Sequence, residues 1–217
     1  MSASVFGKVV AGVAGAAVAA QAASVALVDT SDILRPPGAL DEADFLSRCI
    51  KCGRCIEACP YGALIADSSP TGPGTGAPTL SLRDQACRMC QDMPCIPACP
   101  TEALHPLDSR EDIRMGTAVI KRELCIAVTG MRCEVCYRAC PLIDRAITID
   151  FHMRENDAIH SVFEPIVDPE VCTGCGLCVQ RCVISTPEVA VEIVRDREKA
   201  LAMIEEEQAK MVSSSPF

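Results

Sequence analysis

The sequence predicts an α+β fold in which brief strands and short helices are set around cysteine loops, and three observations predict it. Short apolar, β-branched runs lie at 118–120, 146–150, 166–167 and 189–194, and read as small strands. The tail from Asp196 to Met211 is helical by composition, with Val194, Leu201, Ile204 and Met211 at heptad-like spacing. Between these elements stand sixteen cysteines in four groups of four, none left over.

Taken in chain order, the first element is the stretch from Val9 to Val28, uncharged and mostly Ala, Val and Gly, preceded by Lys8. With the small-residue pattern Ala20-Gln21-Ala22, it reads as a leader or a membrane anchor covering residues 1–33. The plainer alternative is an Ala-rich helix kept at the N-terminus. A twin-arginine leader, which exports proteins already folded around a cofactor, resembles S-R-R-x-F-L-K. The same frame here is Ser2-Ala3-Ser4-Val5-Phe6-Gly7-Lys8, without the arginines. Leu34-Arg35-Pro36-Pro37-Gly38 breaks any helix and marks the start of the folded body, expected over residues 34–194. From Asp67 to Pro78 runs a Ser/Thr/Gly/Pro-rich loop, read as a linker between the first two cysteine groups. Its Gly72-Pro73-Gly74-Thr75-Gly76 lacks the spacing of a nucleotide-binding fingerprint. The final segment, 195–217, is the helix and tail, its apolar stripe expected to pack on the body.

Composition narrows the function. The 217-residue chain is 49% hydrophobic and 23% charged, a globular balance, but only 3% aromatic with no Trp. A core so poor in large rings needs another source of cohesion, which metal clusters supply. The net charge of −9, with no basic run, argues against a nucleic-acid surface. It also argues against purely electrostatic adhesion to an anionic membrane.

The cysteines carry the chemistry. They form group one (Cys49, Cys52, Cys55, Cys59), group two (Cys87, Cys90, Cys95, Cys99), group three (Cys125, Cys133, Cys136, Cys140) and group four (Cys172, Cys175, Cys178, Cys182). Groups one and four have the C-x2-C-x2-C-x3-C spacing of bacterial ferredoxins, in which three thiolates hold one 4Fe–4S cluster and the fourth reaches another. Group two widens one gap, with Pro94 and Pro97 in the loop. Group three puts seven residues between Cys125 and Cys133. Pro60, Pro100 and Pro141 follow the last cysteine of groups one to three and turn the chain away, whereas Val183 follows Cys182. Zinc sites usually join two C-x2-C pairs across a longer spacer, and disulfides need no such grouping, so both fit badly. All sixteen cysteines are therefore expected to bind iron in four 4Fe–4S clusters. Gly53, Gly174 and Gly176 either bring amides to cluster sulfurs or only serve turns. Arg48, Lys51, Arg54, Arg132 and Arg138 are expected to offset cluster charge, with partner docking the alternative reading. Tyr61 and Tyr137 are expected to shield clusters from water, and His105, His152 and His160 receive no ligand role. No nucleophile–base constellation, Walker loop or molybdenum signature is present, and the ligand count leaves no open iron. The expected activity is single-electron transfer with no substrate site, an electron-transfer component rather than a self-contained enzyme.

From Leu34 onward the chain resembles the NapG/MauM ferredoxin-type family. The resemblance rests on Leu34-Arg35-Pro36-Pro37-Gly38-Ala39, Cys59-Pro60-Tyr61, Arg114-Met115-Gly116, Gly130-Met131-Arg132-Cys133-Glu134-Val135-Cys136-Tyr137-Arg138 and Cys172-Thr173-Gly174-Cys175-Gly176. It implies a periplasmic, membrane-associated subunit. The implied donor is an integral membrane ferredoxin-type quinol oxidase (NapH-like), and the implied acceptor a c-type cytochrome or molybdenum reductase, in nitrate respiration or, in the MauM branch, methylamine oxidation. A rival reading is an iron–sulfur β-type subunit bound directly to a molybdopterin oxidoreductase; another, from a different class, is a zinc-stabilised interaction module. The fold also resembles the β subunits of dimethyl-sulfoxide-reductase-type enzymes, which implies two ferredoxin-like 4Fe–4S dicluster halves in one compact domain. Two pairings of groups are possible: adjacent (one with two, three with four) or nested (one with four, two with three). The Gly/Pro-rich loop after group one suggests that the chain crosses between halves there, and the β-subunit resemblance points the same way. The nested pairing is therefore expected. Cys182 then completes the site of group one, Cys59 that of group four, Cys140 that of group two and Cys99 that of group three.

Overall fold

The loop after group one closes a hairpin, and the rest of the architecture follows from that. The computed structural model describes residues 33–153, 159 and 161–213, with side chains described to Lys210. The segment Val9–Val28, His160 and the Met211 side chain lie outside the described residues. The chain enters through Leu34 to Pro37, all buried, into α1 (Glu42–Arg48). Glu42 and Asp44 in the first turn and Arg48 in the last suit the helix dipole. Group one follows, with α2 (Arg54–Glu57) between its cysteines. Then β1 (Leu64–Ala66) pairs antiparallel with β2 (Pro78–Leu80), Leu64 opposite Leu80. The expected linker forms the turn between them: the Asp67 N–H donates to the Ala77 carbonyl and the Gly76 N–H to that of Asp67, both at 2.8 Å. After group two the chain returns to its start, where Leu104 bridges Ala39. The bridge needs Gly38, which has φ +75° and whose added Cβ would stand 2.3 Å from the His105 carbonyl oxygen.

The second half repeats this plan with longer strands. β3 (Thr117–Ile120) leads into group three, which contains α3 (Val135–Ala139). The hairpin β4 (Ile147–Met153) and β5 (Ser161–Val167) carries the chain to group four, which contains α4 (Leu177–Arg181). β6 (Val191–Val194) then returns to pair antiparallel with β3, Thr117 opposite Val194. Each half is thus an outer pair, a cysteine group, a hairpin and a second cysteine group. The strands expected from β-branched runs are present at shifted bounds. β1 and β2, too short to show a period, carry no signal in the sequence.

One core cluster spans both halves, joining Phe45, Met89, Leu104 and Ile113 to Met115, Leu142 and Leu177. Methionine fills much of the space that aromatic rings usually take. The tail forms α5 (Arg197–Ser213), which covers the outer pair β3–β6. The packed residues are Ala200, Met203 and Ile204, against Val119 and Val194. Of the expected stripe, Ile204 packs as anticipated, and Leu201 is only half-buried. A helix lying across a strand pair at one end presents successive turns, not a long heptad seam.

The halves expected from the sequence, groups one/four and two/three, are not the ones observed. Hairpins β1–β2 and β4–β5 fold group one onto group two and group three onto group four. The physical reason lies in the first loop: Gly and Pro allow a reversal as readily as a crossing, and two hydrogen bonds at its neck select the reversal.

Candidate metal centres

Two cavities show which cysteines share a site. The first is lined by Cys87, Cys90 and Cys95 of group two together with Cys59 of group one, closed by Pro37, Pro60, Tyr61, Leu64, Met93 and Pro94. Met89 and Met93, at φ +51° and +39°, bend the group-two loop around it. The wall is apolar, so burial pushes the Cys87 thiol up to about 11 and the Cys95 thiol to about 12, with the nearby Cys59 adding to both. The Ala63 N–H donates to Cys59 Sγ at 3.3 Å and the Met89 N–H to Cys87 Sγ at 3.5 Å.

The second cavity is lined by Cys172, Cys175 and Cys178 of group four together with Cys136 and Cys140 of group three, with Leu142, Ile147, Val167 and Val191 behind. Burial raises Cys175 to about 12 and Cys178 well above the usual value, and Cys140 contributes to both. The Ala118 N–H donates to Cys172 Sγ at 3.4 Å. Gly174 makes this loop possible: at φ +70°, any Cβ on it would lie 2.4 Å from the Gly116 nitrogen. This is a close approach to the Gly116 backbone, a role beyond the two expected of the glycines. Gly53, by contrast, has open space around it and serves the turn into α2.

The other two sites are defined by their thiols. Burial raises Cys55 to about 11, and Cys49 and Cys52 add to it. Cys136 is pushed to about 12 by burial, then by Cys125, Cys133 and Cys182. Cys182 therefore stands with group three. Cys99 packs against the shared core, as do Cys49, Cys59, Cys87 and Cys140. Burial pushes the Cys99 thiol up, but hydrogen bonds from the backbone at Thr101, Leu104 and Ala103 outweigh this and hold it below the usual value. The nested assignments are thus corrected: Cys59 lies with group two, Cys140 with group four and Cys182 with group three.

These residues fit an iron–sulfur cluster. The donor set is thiol only, set in apolar walls with backbone N–H groups aimed at sulfur. A bare thiolate is costly in such a wall, and burial raises the thiols that line it. Bound iron would supply the positive charge that makes thiolate ligands favourable there.

The flanking residues divide. Arg132 and Arg138 both pair with Glu134, at 3.0 and 2.5 Å, and Arg132 also lies 4.9 Å over the Phe163 ring. Arg48, Lys51 and Arg54 are exposed around group one. Tyr61 lines the group-two cavity yet remains 53% exposed. The Tyr137 hydroxyl donates to Asp144 at 2.6 Å. His105 closes the first outer bridge through its backbone, and His152 sits 3.3 Å from Asp150.

Sequence reasoning missed the groups that join the halves. Arg35 is 1% exposed, holds Glu42 through two nitrogens at 2.6 and 3.1 Å, and donates to the Pro78 carbonyl at 3.1 Å. Arg195, from the end of β6, pairs with the same Glu42 and donates to the Leu40 carbonyl at 3.2 Å. Arg83 donates to the carbonyls of Val179 and Cys182 at 2.8 and 3.0 Å, capping α4 from the other half. The only signal was an arginine placed directly before two prolines at the start of the body.

Comparison with known proteins agrees with this geometry. The family model for the 4Fe-4S dicluster domain matches residues 48–103 and 124–185, one match in each half. The chain is 44% identical over 160 residues to the ferredoxin-type protein NapG of Escherichia coli (strain K12), covering 73% of this chain and 69% of that protein. It is 44% identical over 163 residues to the methylamine utilization ferredoxin-type protein MauM of Methylobacillus flagellatus, covering 73% and 68%. The MauM protein of Paracoccus denitrificans is 41% identical over 160 residues, covering 73% and 70%. No solved structure matches the chain. With a dicluster match in each half and this identity along most of its length, the chain belongs to the NapG/MauM ferredoxin-type family of iron–sulfur electron carriers.

Proposed function

We propose that the chain holds four 4Fe–4S clusters and passes electrons from a quinol-oxidising membrane partner toward a periplasmic reductase, such as nitrate reductase, through c-type cytochromes. When bound, each cluster supplies a one-electron couple. The cysteine sets are Cys49/Cys52/Cys55 with Cys99, Cys87/Cys90/Cys95 with Cys59, Cys125/Cys133/Cys136 with Cys182, and Cys172/Cys175/Cys178 with Cys140. The observation that carries this reading is the pair of cavities in which three cysteines of one group meet the fourth of its neighbour, with Cys136 also lining the second. Cys99 joins group one as the remaining member of the exchange. The chain's own contribution is to orient thiolates, aim N–H groups at them and keep water out. The relatives' names, NapG and NapF among them, support a place in a nitrate-reductase pathway.

Metal content tests the first part. Anaerobic preparations should approach roughly sixteen irons per chain, with matching acid-labile sulfide; stoichiometric zinc with little iron overturns the reading. Electron transfer driven by quinol, in membranes with and without the protein, tests the second; equal rates place the chain off that path. Removing the residues before Leu34 should leave iron content intact and loosen membrane association.

A further inference from the structure

The loops of group two and group four interlock where the two halves meet. The Cys87 N–H donates to the Cys175 carbonyl at 3.0 Å, a main-chain bond between cysteines of different halves. Beside it the Thr173 hydroxyl donates to Met89 Sδ at 3.3 Å, both residues buried. Gly176, at φ +78°, packs against the Leu82 side chain that precedes the group-two loop. Within each half the neighbours are equally defined. Cys136 and Cys140 of group three line the group-four cavity. Cys59 of group one lines the cavity of Cys87, Cys90 and Cys95 of group two.

Exposure sets group one apart from the groups at the junction of the halves. The residue after the first cysteine is Ile50 in group one, 64% exposed; Arg88 in group two, half-buried; and Thr173 in group four, 3% exposed. Cys52 is itself exposed. Around group three, Met131 and Val183 are 62% and 56% exposed. At group three the equivalent residue, Ile126, is half-buried, and the exposure there lies in the flanking Met131 and Val183.

We propose that the four cysteine sets stand in a single row, in the order group one, group two, group four, group three. The Cys87–Cys175 contact is the crossing between halves, and the sets of groups one and three are the two ends. The order rests on the reading that each set holds a 4Fe–4S cluster, and it differs from the order of the groups along the chain. An electron given by a one-electron donor protein at one end and taken by an oxidised redox protein at the other crosses the halves once. One electron is lost by the donor and gained by the acceptor, and no proton or bond moves with it.

Electron paramagnetic resonance of the full chain tests the order, after anaerobic reconstitution and reduction with dithionite. Cys90→Ala, which empties the group-two set, should leave the group-one signal unsplit, as from an isolated centre. Cys178→Ala should do the same to the group-three signal. Cys52→Ala and Cys133→Ala should leave the splitting between the group-two and group-four sets in place. If an alanine variant fails to fold, the serine variants Cys90→Ser and Cys178→Ser should keep the cluster with an altered signal. In the parent protein background, each altered signal should show interaction with a neighbour in the other half. Splitting of the group-one signal that survives loss of the group-two set overturns the order, as does an interaction between sets one and three. A full iron complement with the wrong coupling pattern counts against the order alone; an iron shortfall in the unmodified chain counts against the four-cluster reading.

Discussion

Arg35, Glu42 and Arg195 show what a single side chain does for this molecule. A guanidinium that is almost fully buried is tolerable only when paired and hydrogen-bonded, and Arg35 has the Glu42 carboxylate, the Pro78 carbonyl and the face of Phe45 at 5.1 Å. Burial pushes Glu42 up, but the hydrogen bonds and charges of Arg35 and Arg195 outweigh it and hold the carboxyl below its usual range. Glu42→Gln should therefore destabilise the protein by about 3 kcal/mol at neutral pH, because it leaves Arg35 buried with no counter-charge. The sign of the pH dependence follows. A carboxyl depressed on folding contributes fully above its unfolded value of about 4.3 and loses that contribution as pH falls through its lower folded value. Anaerobic denaturant titrations of parent and variant should converge in acid and differ most near neutrality. A second single-residue outcome concerns Gly174. Gly174→Ala places a methyl against the Gly116 backbone and forces an unfavourable φ, so it should cost roughly a quarter of the iron, from the group-four site. Iron per chain checks it directly.

The hairpin is the element that organises the cysteines. A cysteine group alone is a loop without a partner, and β1–β2 or β4–β5 returns the next group to it. The helix α5 has a different task, covering the apolar edge that β3 and β6 would otherwise expose. Its Glu207 carboxylate accepts from the Arg122 N–H at 2.8 Å, while the Arg122 guanidinium pairs with the buried Glu164 of β5. Helix, outer pair and hairpin are thus tied at one point. Ala200→Glu puts a carboxylate between Val119 and Val194 and should lower stability by about 3 kcal/mol. A fall in the unfolding midpoint with the iron content of folded protein unchanged is the expected pattern.

At the scale of the whole molecule, two repeats of one plan share a core, and cysteines are exchanged within each repeat. This makes a prediction about identity of signals. Cys59→Ala should remove the same resonance as Cys90→Ala, and Cys140→Ala the same resonance as Cys178→Ala. If Cys59→Ala instead removes the signal lost in Cys178→Ala, group one is paired with group four in solution, and the hairpin arrangement is wrong.

The sequence by itself determined the chemistry, because a ligand set is a matter of residue type and local spacing. Sixteen cysteines in four near-regular groups announce cuboidal clusters before any fold is known. The longer strands and the C-terminal helix were legible for the same reason: β-branched runs and a charged, helix-forming tail act over a few residues. The exchange of cysteines was decided only by the tertiary structure. It hangs on whether Asp67 to Pro78 reverses or crosses, and its Gly, Pro, Ser and Thr residues permit either. Strands of three residues at β1 and β2 carry no period to read, yet their ladder and the two hydrogen bonds at the loop's neck make the choice. Arg35 was visible in the sequence as a charge before two prolines. Only the packed fold shows that it is buried, where the absence of water makes Glu42 necessary to it.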